Sequence, residues 1–268
     1  MTTTTTTAPT RTREVRVERA GAITTLVLDR PQARNALSAE LMTEIEQELA
    51  AIAADRTVKV VILGASGPAF SSGHDLKQML ACRDRAVYEE LFRQCSRMML
   101  AIVRLPQPVI ARVQGVATAA GCQLVATCDL AVAAASARFA TPGVNIGLFC
   151  STPMVALSRN VARKPAMEML LTGDMVGAEE ARRIGLVNRV VPDEQLEEST
   201  RELAETIAGK SGHVLRIGKE AFYRQLELGL EDAYAYTSQV MTENMMARDA
   251  EEGIGAFLEK RKPEWREE

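Results

Sequence analysis

Two loops in the first half of the sequence are rich in small residues and could expose backbone N–H groups. The first runs from Ala69 to Leu76, and the second runs from Gly115 to Leu124 into a predicted helix. The first N–H groups of a helix have no intrahelical partner, and the helix dipole adds partial positive charge there. Two N–H groups that converge on one oxygen would stabilise an enolate. The loops therefore predict an oxyanion hole, although each loop alone also fits a purely structural turn.

Side chains that could move protons are scarce beside these loops. His74 directly follows Gly73, and its imidazole could donate or accept a proton. The alternative is an exposed histidine that takes no part in chemistry. Between positions 91 and 167 the only acidic residue is Asp129, and the amide of Gln123 is no base near neutral pH.

Metal chemistry is not indicated by the sequence. The five cysteines are odd in number and match no zinc spacing, and His74 and His213 each stand alone. We therefore predict no metal site and interpret the cysteines as small buried residues in a reducing compartment. Cys122 and Cys150 could line the pocket, but no basic neighbour is evident that would make either thiol a nucleophile.

The elements that must position the loops follow from hydrophobic periodicity. Ser38 can cap a helix that extends to Asp55, because apolar residues recur on one face of this stretch. Apolar runs at 58–63, 109–113 and 130–134 predict buried strands, and from Ser151 onward the helical period dominates. Strands that alternate with helices, followed mostly by helices, indicate an α/β fold with a helical C-terminal part.

Composition and charge narrow the possible partners. The net charge of −3 gives no basic excess, so we predict no nucleic-acid binding, and no apolar run is long enough for a membrane span. Residues 1–12 predict a disordered tail, although Arg11, Arg13 and Arg16 among hydroxyl residues also resemble an organelle transit peptide. We predict a cytoplasmic location.

Several ordered motifs resemble the crotonase superfamily, which is the enoyl-CoA hydratase/isomerase family. They are Phe70-Ser71-x-Gly73-x-Asp75-Leu76, then Gly121-Cys122-x-Leu124 with Cys128-Asp129 after it, and Phe139-Ala140-Thr141-Pro142. The similarity runs from about residue 14 to about residue 262. Within the superfamily, the stretches 71–76, 119–126 and 147–153 resemble most the branch of enoyl-CoA hydratase domain-containing protein 3.

The resemblance implies a fold, a substrate and an assembly. A spiral of ββα turns would fill residues 13–205, and a helical region at 206–268 would form a homotrimer or a dimer of trimers. The substrate would be an acyl-CoA thioester, so that coenzyme A is part of the substrate and no separate cofactor is expected. The tail at 260–262 could reach the CoA phosphates of a neighbouring subunit, or it could be a solvated charged end.

The resemblance also implies positions in the site. The backbone N–H groups of His74 and Ala120 would form the oxyanion hole, and Gln123 would lie beside them. The implied substrate-binding positions are Ala33, Arg34, Ser72, Gly73, Asp75, Leu76, Gly121 and Gly143. The context of Asp129 resembles a buried structural position.

The sequence departs from the family pattern at two catalytic positions. Gln123 and Gly143 stand where a hydratase of the family carries its two glutamates. Ordinary hydration is therefore not expected, since proton transfer by such groups supplies roughly 10²–10⁴-fold in rate. Three interpretations remain open: an enzyme that needs only the oxyanion hole and His74, a decarboxylase similar to methylmalonyl-CoA decarboxylase, and a non-catalytic CoA-thioester binding protein.

Overall fold

Two β-sheets form the centre of the computed structural model, which describes residues 13–266. The tail predicted at 1–12 lies outside the described residues. The large sheet has the order β1-β2-β3-β5-β7-β10 and the small sheet the order β4-β6-β8-β9. The strands are β1 Val15–Ala20, β2 Ile23–Leu28, β3 Val60–Ala65, β4 Ala69–Ser71, β5 Val109–Val113, β6 Val116–Thr118, β7 Leu130–Ala134, β8 Arg138–Ala140, β9 Val176–Gly177 and β10 Arg189–Val191.

The chain path is a spiral of ββα turns, as the family resemblance implies. Each turn places its first strand in the large sheet and its second in the small sheet: β3 leads to β4, β5 to β6, and β7 to β8. Strands β2, β3, β5, β7 and β10 are parallel, and β1 closes the edge as an antiparallel hairpin with β2. In the small sheet β4, β6 and β8 are parallel, and β9 is antiparallel to β8.

Helices follow the strand pairs and then dominate the C-terminal part. They are α1 Ala39–Ala54, α2 Leu76–Ala81, α3 Arg85–Arg104, α4 Ala120–Thr127, α5 Pro153–Asn160, α6 Arg163–Thr172, α7 Ala178–Arg183, α8 Leu196–Ala208, α9 Gly212–Gln225, α10 Leu230–Met245 and α11 Arg248–Glu259. No helix within 13–266 is long and apolar enough to cross a membrane. The division of the chain at residue 205 stays a prediction.

The sequence of α1 determines where this helix begins and which of its faces is buried. The side chain of Ser38 accepts a hydrogen bond from the N–H of Leu41 at 3.1 Å, and this confirms the predicted N-cap. The apolar face of α1, which includes Ile45 and Leu49, is buried in the main core. Since one face is apolar and the other polar, α1 can pack only with this side against the sheet.

A second hydrophobic cluster covers the other face of the large sheet. Helix α8 places Leu196 and Ala204 against strand residues that include Val60 and Ile110. The central strands β3, β5 and β7 are therefore buried on both faces, which explains why the sequence shows them as continuous apolar runs.

Strands β4 and β6 of the small sheet are not evident from the sequence. The stretches 69–76 and 115–124 are expected from the sequence to be loops, the second leading into a helix, whereas the structure has β4 and β6 within them. Three-residue strands contain at most one full period of the alternation that identifies a strand, so the pattern cannot be recognised. The partner strands, and not local propensity, determine the conformation of these segments.

Asp129 connects the end of α4 to the C-terminal helices. Its two carboxylate oxygens accept hydrogen bonds from the N–H of Val109 at 2.6 Å, from Lys219 Nζ at 2.7 Å and from the Tyr223 hydroxyl at 2.8 Å. Lys219 also donates to the backbone carbonyl of Ile102 at 3.0 Å. The predicted structural role of Asp129 is therefore confirmed.

The C-terminal helices expose many large apolar side chains, more than a soluble surface usually presents in one region. They include Phe222, Leu226, Leu230, Tyr234, Met241, Met245, Met246, Phe257 and Leu258. The homotrimer stays a prediction, and these side chains are where we expect its contacts.

Candidate active site

Three parallel strands of the small sheet end at the same edge, and each is followed by one of the predicted site segments. The pairings Ser71 with Ala117 and Thr118 with Ala140 fix this alignment. His74 follows β4, α4 follows β6, and Gly143 follows β8. Ligands of parallel sheets bind beyond the carboxyl ends of the strands, so this edge is the candidate site.

Gly73 lies where the loop after β4 contacts the loop that leads into α4. Its φ of +90° is a conformation that favours glycine, and a Cβ at this position would lie 2.8 Å from the Cβ of Ala119 and 3.1 Å from the nitrogen of Ala120. At Gly121 a Cβ would overlap the carbonyl oxygen of Ser71. Both glycines are therefore needed because the two loops pack backbone against backbone.

The N–H groups of His74 and Ala120 are both available to a ligand. Leu37 forms a parallel bridge with His74, in which it donates to the Gly73 carbonyl and accepts from the Asp75 N–H. Since peptide groups alternate in direction along an extended chain, the His74 N–H points away from Leu37. Ala120 is the first residue of α4, where an N–H has no intrahelical acceptor. Among residues 13–266 neither N–H has a hydrogen-bond partner.

The residue before Ala120, whose N–H is the second donor, has a strained backbone. Ala119, which precedes α4, has φ 50° and ψ −119°, a region that alanine rarely adopts. Such a residue costs on the order of 1–3 kcal/mol and persists only where its surroundings hold it. The Ala119 N–H donates to the carbonyl of Ala140 at 3.0 Å, and this bond fixes the turn that presents the Ala120 N–H.

Asn35 holds the loop that carries His74 in place through hydrogen bonds. It is completely buried, and its side chain donates to the carbonyls of Ser66 and Ala69 and accepts from the N–H of Arg30. Its own carbonyl accepts from the Ser71 hydroxyl at 2.8 Å. These bonds hold Asn35 at φ 50° and tie the 30–37 segment to the loop that carries His74.

His74 lies in a largely apolar environment. Its Nε2 atom is buried and has no hydrogen-bond partner, and its ring meets that of Phe92 edge to face at a centroid distance of 5.6 Å. Burial lowers the pKa of His74 from 6.5 to about 4, because the charged imidazolium loses its hydration. The imidazole is therefore neutral near pH 7 and can either donate or accept one hydrogen bond at Nε2.

Gln123 and Gly143 occupy the two positions where the family resemblance places glutamates. Gln123 is buried, and its Oε1 atom has no partner. At Gly143 a Cβ would lie 2.5 Å from the carbonyl oxygen of Leu148 and 2.9 Å from the Cys150 sulfur. The turn that contains Leu148 and Cys150 therefore fills the space into which a side chain at 143 would extend.

The two cysteines near this turn are not activated. Burial raises the pKa of Cys122 to about 12 and also raises the pKa of Cys150. A thiol with a raised pKa is a poor nucleophile near neutral pH. Within 13–266 no group of three His, Cys, Asp or Glu side chains is placed to hold a metal ion.

The other predicted substrate-binding residues include Ala33, Arg34, Ser72 and Leu76. Ser72 donates its N–H to the Arg34 carbonyl at 3.0 Å, so both predicted segments run side by side. Arg34 is exposed, Ala33 is half-buried, and Leu76 is 47% exposed. These positions stay predictions, because no ligand contact is shown for them.

Asp75 has a structural environment. It caps α2 through the N–H groups of Lys77 and Gln78 and pairs with Arg30 at 2.8 Å. Burial alone would raise the pKa of Asp75, but these hydrogen bonds and the charge of Arg30 outweigh burial and hold it below its ordinary value. Its substrate-binding role also stays a prediction.

Sequence reasoning missed three residues of this region: Asn35 as the clamp of the first loop, Phe92 as the neighbour of His74, and Thr141. Thr141 is 1% exposed, and its hydroxyl has no hydrogen-bond partner. The one available signal was the residue type of Asn35, since asparagine adopts a positive φ more readily than most residues. The contacts of Phe92 and Thr141 depend on segments distant in the sequence and leave no local pattern.

The spiral fold, with two backbone donors at one sheet edge, defines the class of protein. Residues 18–268 match the family model of enoyl-CoA hydratase/isomerase, and the chain belongs to this family. It is 50% identical over 246 residues to human "Enoyl-CoA hydratase domain-containing protein 3, mitochondrial", with 92% of this chain and 81% of that protein covered. The predicted resemblance to the superfamily and to this branch is confirmed.

Solved structures agree with this assignment. A crystal structure of an enoyl-CoA hydratase from Mycobacterium smegmatis is 52% identical, with a TM-score of 0.93 and coverage of 95% of this chain and 99% of that chain. A crystal structure of the human enoyl coenzyme A hydratase domain-containing protein 3 is 49% identical, with a TM-score of 0.92 and coverage of 94% and 100%.

The comparisons correct the predicted location. Relatives from rat, mouse, human, Xenopus laevis and Danio rerio all carry the word mitochondrial in their names. This finding overturns the cytoplasmic location predicted from the sequence. That prediction interpreted residues 1–12 as a disordered tail and not as a transit peptide. The free cysteines indicate a reducing compartment but cannot tell one such compartment from another.

Proposed function

We propose that the protein acts on acyl-CoA thioesters and stabilises their enolate form between the N–H groups of His74 and Ala120. The observation that carries the proposal is the pair of unpartnered donors held together by the contact between Gly73 and Ala119. The donors are neutral, fixed and shielded, and this arrangement favours a charge that develops on an oxygen. Coenzyme A enters as part of the substrate, and no separate cofactor is needed.

Hydration is not the reaction we propose. A hydratase of this family must position and deprotonate a water molecule, and the two residues at the glutamate positions are an amide and a glycine. The one acid between positions 91 and 167 is Asp129, whose oxygens are engaged with Lys219 and Tyr223. We therefore assign proton transfer in this site to neutral His74 or to a water molecule.

Decarboxylation of a thioester with a β-carboxylate is the second candidate, and the lack of a carboxylate at positions 123 and 143 favours it. The bond between the carboxyl carbon and the α-carbon breaks, and carbon dioxide leaves. The electron pair of that bond forms the enolate, whose oxygen accepts from the two N–H groups. The α-carbon then takes a proton from water or from His74, so no catalytic base is required.

A two-arm assay tests the proposal. One arm follows the loss of crotonyl-CoA absorbance, and the other follows carbon dioxide release from malonyl-CoA and methylmalonyl-CoA. The variants are His74→Ala and, as a matched control, His213→Ala. Decarboxylation that decreases in His74→Ala but not in His213→Ala supports the second candidate. Rapid hydration of crotonyl-CoA would contradict the argument that Gln123 and Gly143 prevent hydratase activity. Binding without turnover in both arms would instead favour a non-catalytic CoA-thioester binding protein.

We further propose that the exposed apolar side chains of α9, α10 and α11 form the contacts of a homotrimer or of a dimer of trimers. Burial of several such side chains would stabilise an assembly. The mass in solution, measured by light scattering, tests this point. A monomer at micromolar concentration would contradict it.

A further inference from the structure

A groove of about 480 Å³ lies on the face of the large sheet that α8 covers, between this helix and the hairpin of β1 and β2. None of the residues that line it belongs to the candidate active site. Its charged lining residues are Glu18, Arg19, Arg112, Glu197, Arg201 and Glu205. Three arginines and three glutamates leave this lining without a net charge.

Arg112, on β5, is a half-buried arginine whose guanidinium makes no hydrogen bond within residues 13–266. Its side chain is 19% exposed, and its ionic neighbour is Glu197, with 3.8 Å between Nη1 and the carboxylate oxygen. That distance is too long for a hydrogen bond, and the Glu197 side chain is 85% exposed. The pair is therefore loose and open to solvent.

Other arginines of the described chain contrast with Arg112. Arg30, whose side chain is 20% exposed, donates both to a backbone carbonyl and to Asp75. Within the groove, Arg19 pairs with Asp55 at 2.8 Å, and Arg201 pairs with Glu205 at 2.6 Å. Arg112 is therefore the arginine of this groove that can accept a new partner without giving up a close one.

Gly64 of β3 makes room for the Arg112 guanidinium. Leu63 pairs with Ala111, so Gly64 and Arg112 are neighbours on adjacent strands. A Cβ at Gly64 would lie 3.1 Å from both Nε and Nη2 of Arg112, which is closer than ordinary contact. Glycine weakens the interior of a strand and often marks a place where another group approaches closely. Here the group that approaches is the guanidinium.

The unmade hydrogen bonds indicate the chemistry of a ligand. A guanidinium carries five N–H donors in a fixed fork, and a half-buried charge whose donors are unpaired is costly. A carboxylate matches two of these donors in parallel. Ile62 and Ala208 add apolar surface to the groove, which suits a short alkyl chain. A phosphate dianion would bring a second negative charge among the three glutamates, so a singly charged carboxylate fits better.

We propose that this groove binds a short aliphatic monocarboxylate, whose two oxygens accept hydrogen bonds from Arg112 in place of Glu197. The alkyl chain of the ligand lies against Ile62 and Ala208. The inference does not depend on the proposed function, because the groove shares no residue with the oxyanion hole.

Ligand-observed saturation-transfer NMR on the full-length protein tests the proposal. The probes are butyrate, its uncharged analogue butyramide, and inorganic phosphate. We expect butyrate to bind about tenfold more tightly than butyramide, as hydrogen bonds to a charged group imply. Phosphate that binds more tightly than butyrate would overturn the assignment of a carboxylate.

Arg112→Met removes the charge and nearly keeps the length of the side chain, so it should weaken butyrate binding about tenfold. Arg112→Lys should also weaken it, because lysine has no planar fork. Arg19→Met is the matched control and should leave the affinity unchanged, since Arg19 lines the same groove but is already paired with Asp55. Equal affinity of wild type and Arg112→Met for butyrate, or no preference for butyrate over butyramide, would overturn the inference.

Glu197→Gln keeps the test decisive if Arg112→Met does not fold. The Glu197 side chain is exposed, so its replacement should leave the fold intact. Because this change removes the carboxylate that competes for Arg112, butyrate should bind more tightly than to wild type. Unchanged or weaker binding would count against the site.

Discussion

The replacement of Gly73 by alanine is the sharpest test of the paired donors. An alanine here must adopt a φ of +90°, and its Cβ would lie 2.8 Å from the Cβ of Ala119. The left-handed conformation costs about 1–2 kcal/mol, and the overpacked contact adds about 1–3 kcal/mol. We therefore expect the free energy of unfolding to decrease by about 2–5 kcal/mol.

The effect on the site should exceed the effect on stability. The new methyl group separates the loops that carry His74 and Ala120, so the two N–H groups no longer converge. Loss of one donor in an oxyanion hole typically reduces turnover by about 10²–10³-fold. We expect a decrease of about 10²-fold in stabilisation of a bound enolate, at temperatures where the variant is folded.

Acetoacetyl-CoA is a suitable probe, because it forms an enolate readily and the enolate absorbs in the near ultraviolet. Wild-type protein should increase this absorbance, and Gly73→Ala should not. Gly21→Ala is the matched control, since Gly21 also has a positive φ of +59° but has no atom within 4 Å of the added Cβ. An enolate signal that is unchanged in folded Gly73→Ala would refute the paired-donor reasoning.

Three further predictions concern single side chains. Since the pKa of His74 decreases from 6.5 to about 4 on folding, stability should be full above pH 6.5 and decrease by about 3 kcal/mol as the pH falls to 4. Urea unfolding at pH 7 and pH 4.5 should show this loss in wild type and not in His74→Asn. Lys219→Met leaves the half-buried Asp129 without its cation and should cost about 3–5 kcal/mol in chemical denaturation. Gly143→Glu, alone or with Gln123→Glu, should not restore hydration of crotonyl-CoA, because its Cβ meets the 148–150 turn.

Each of these predictions has its own contrary outcome. Parallel pH curves for wild type and His74→Asn would show that burial does not shift the histidine. The control for Lys219 is Arg85→Met, since the pair of Arg85 with Glu89 is exposed and worth at most about 1 kcal/mol. Equal losses in the two variants would contradict the buried pair. Rapid hydration by a Gly143→Glu variant would show that the turn can move aside.

The sequence predicted elements that carry their own signal. Helix α1 is recognisable from a cap at Ser38 and a regular apolar face, and β7 from the apolar run at 130–134. Strands β4 and β6 were missed because each is only three residues long. Their conformation depends on parallel partners that lie about 20–50 residues away along the chain.

Only those residues of the candidate site that belong to a sequence motif could be predicted. The glycines at 73 and 121 stand out in the sequence, but the reason for them lies in the contacts with Ala119 and Ser71, which appear only in the fold. Thr141 gave no signal, since an unsatisfied hydroxyl is a property of its surroundings. The location was wrong because cysteine usage reports redox state and not the compartment itself.

The two donors are main-chain groups, and this has a consequence for how such a protein can evolve. A substitution at position 74 or 120 changes a side chain but cannot remove an N–H unless it introduces proline. The side chains at 123, 141 and 143 can therefore vary one at a time while the donors persist. A lineage can therefore lose the side chains of one reaction and acquire those of another. Every intermediate protein keeps the two N–H groups that stabilise an enolate.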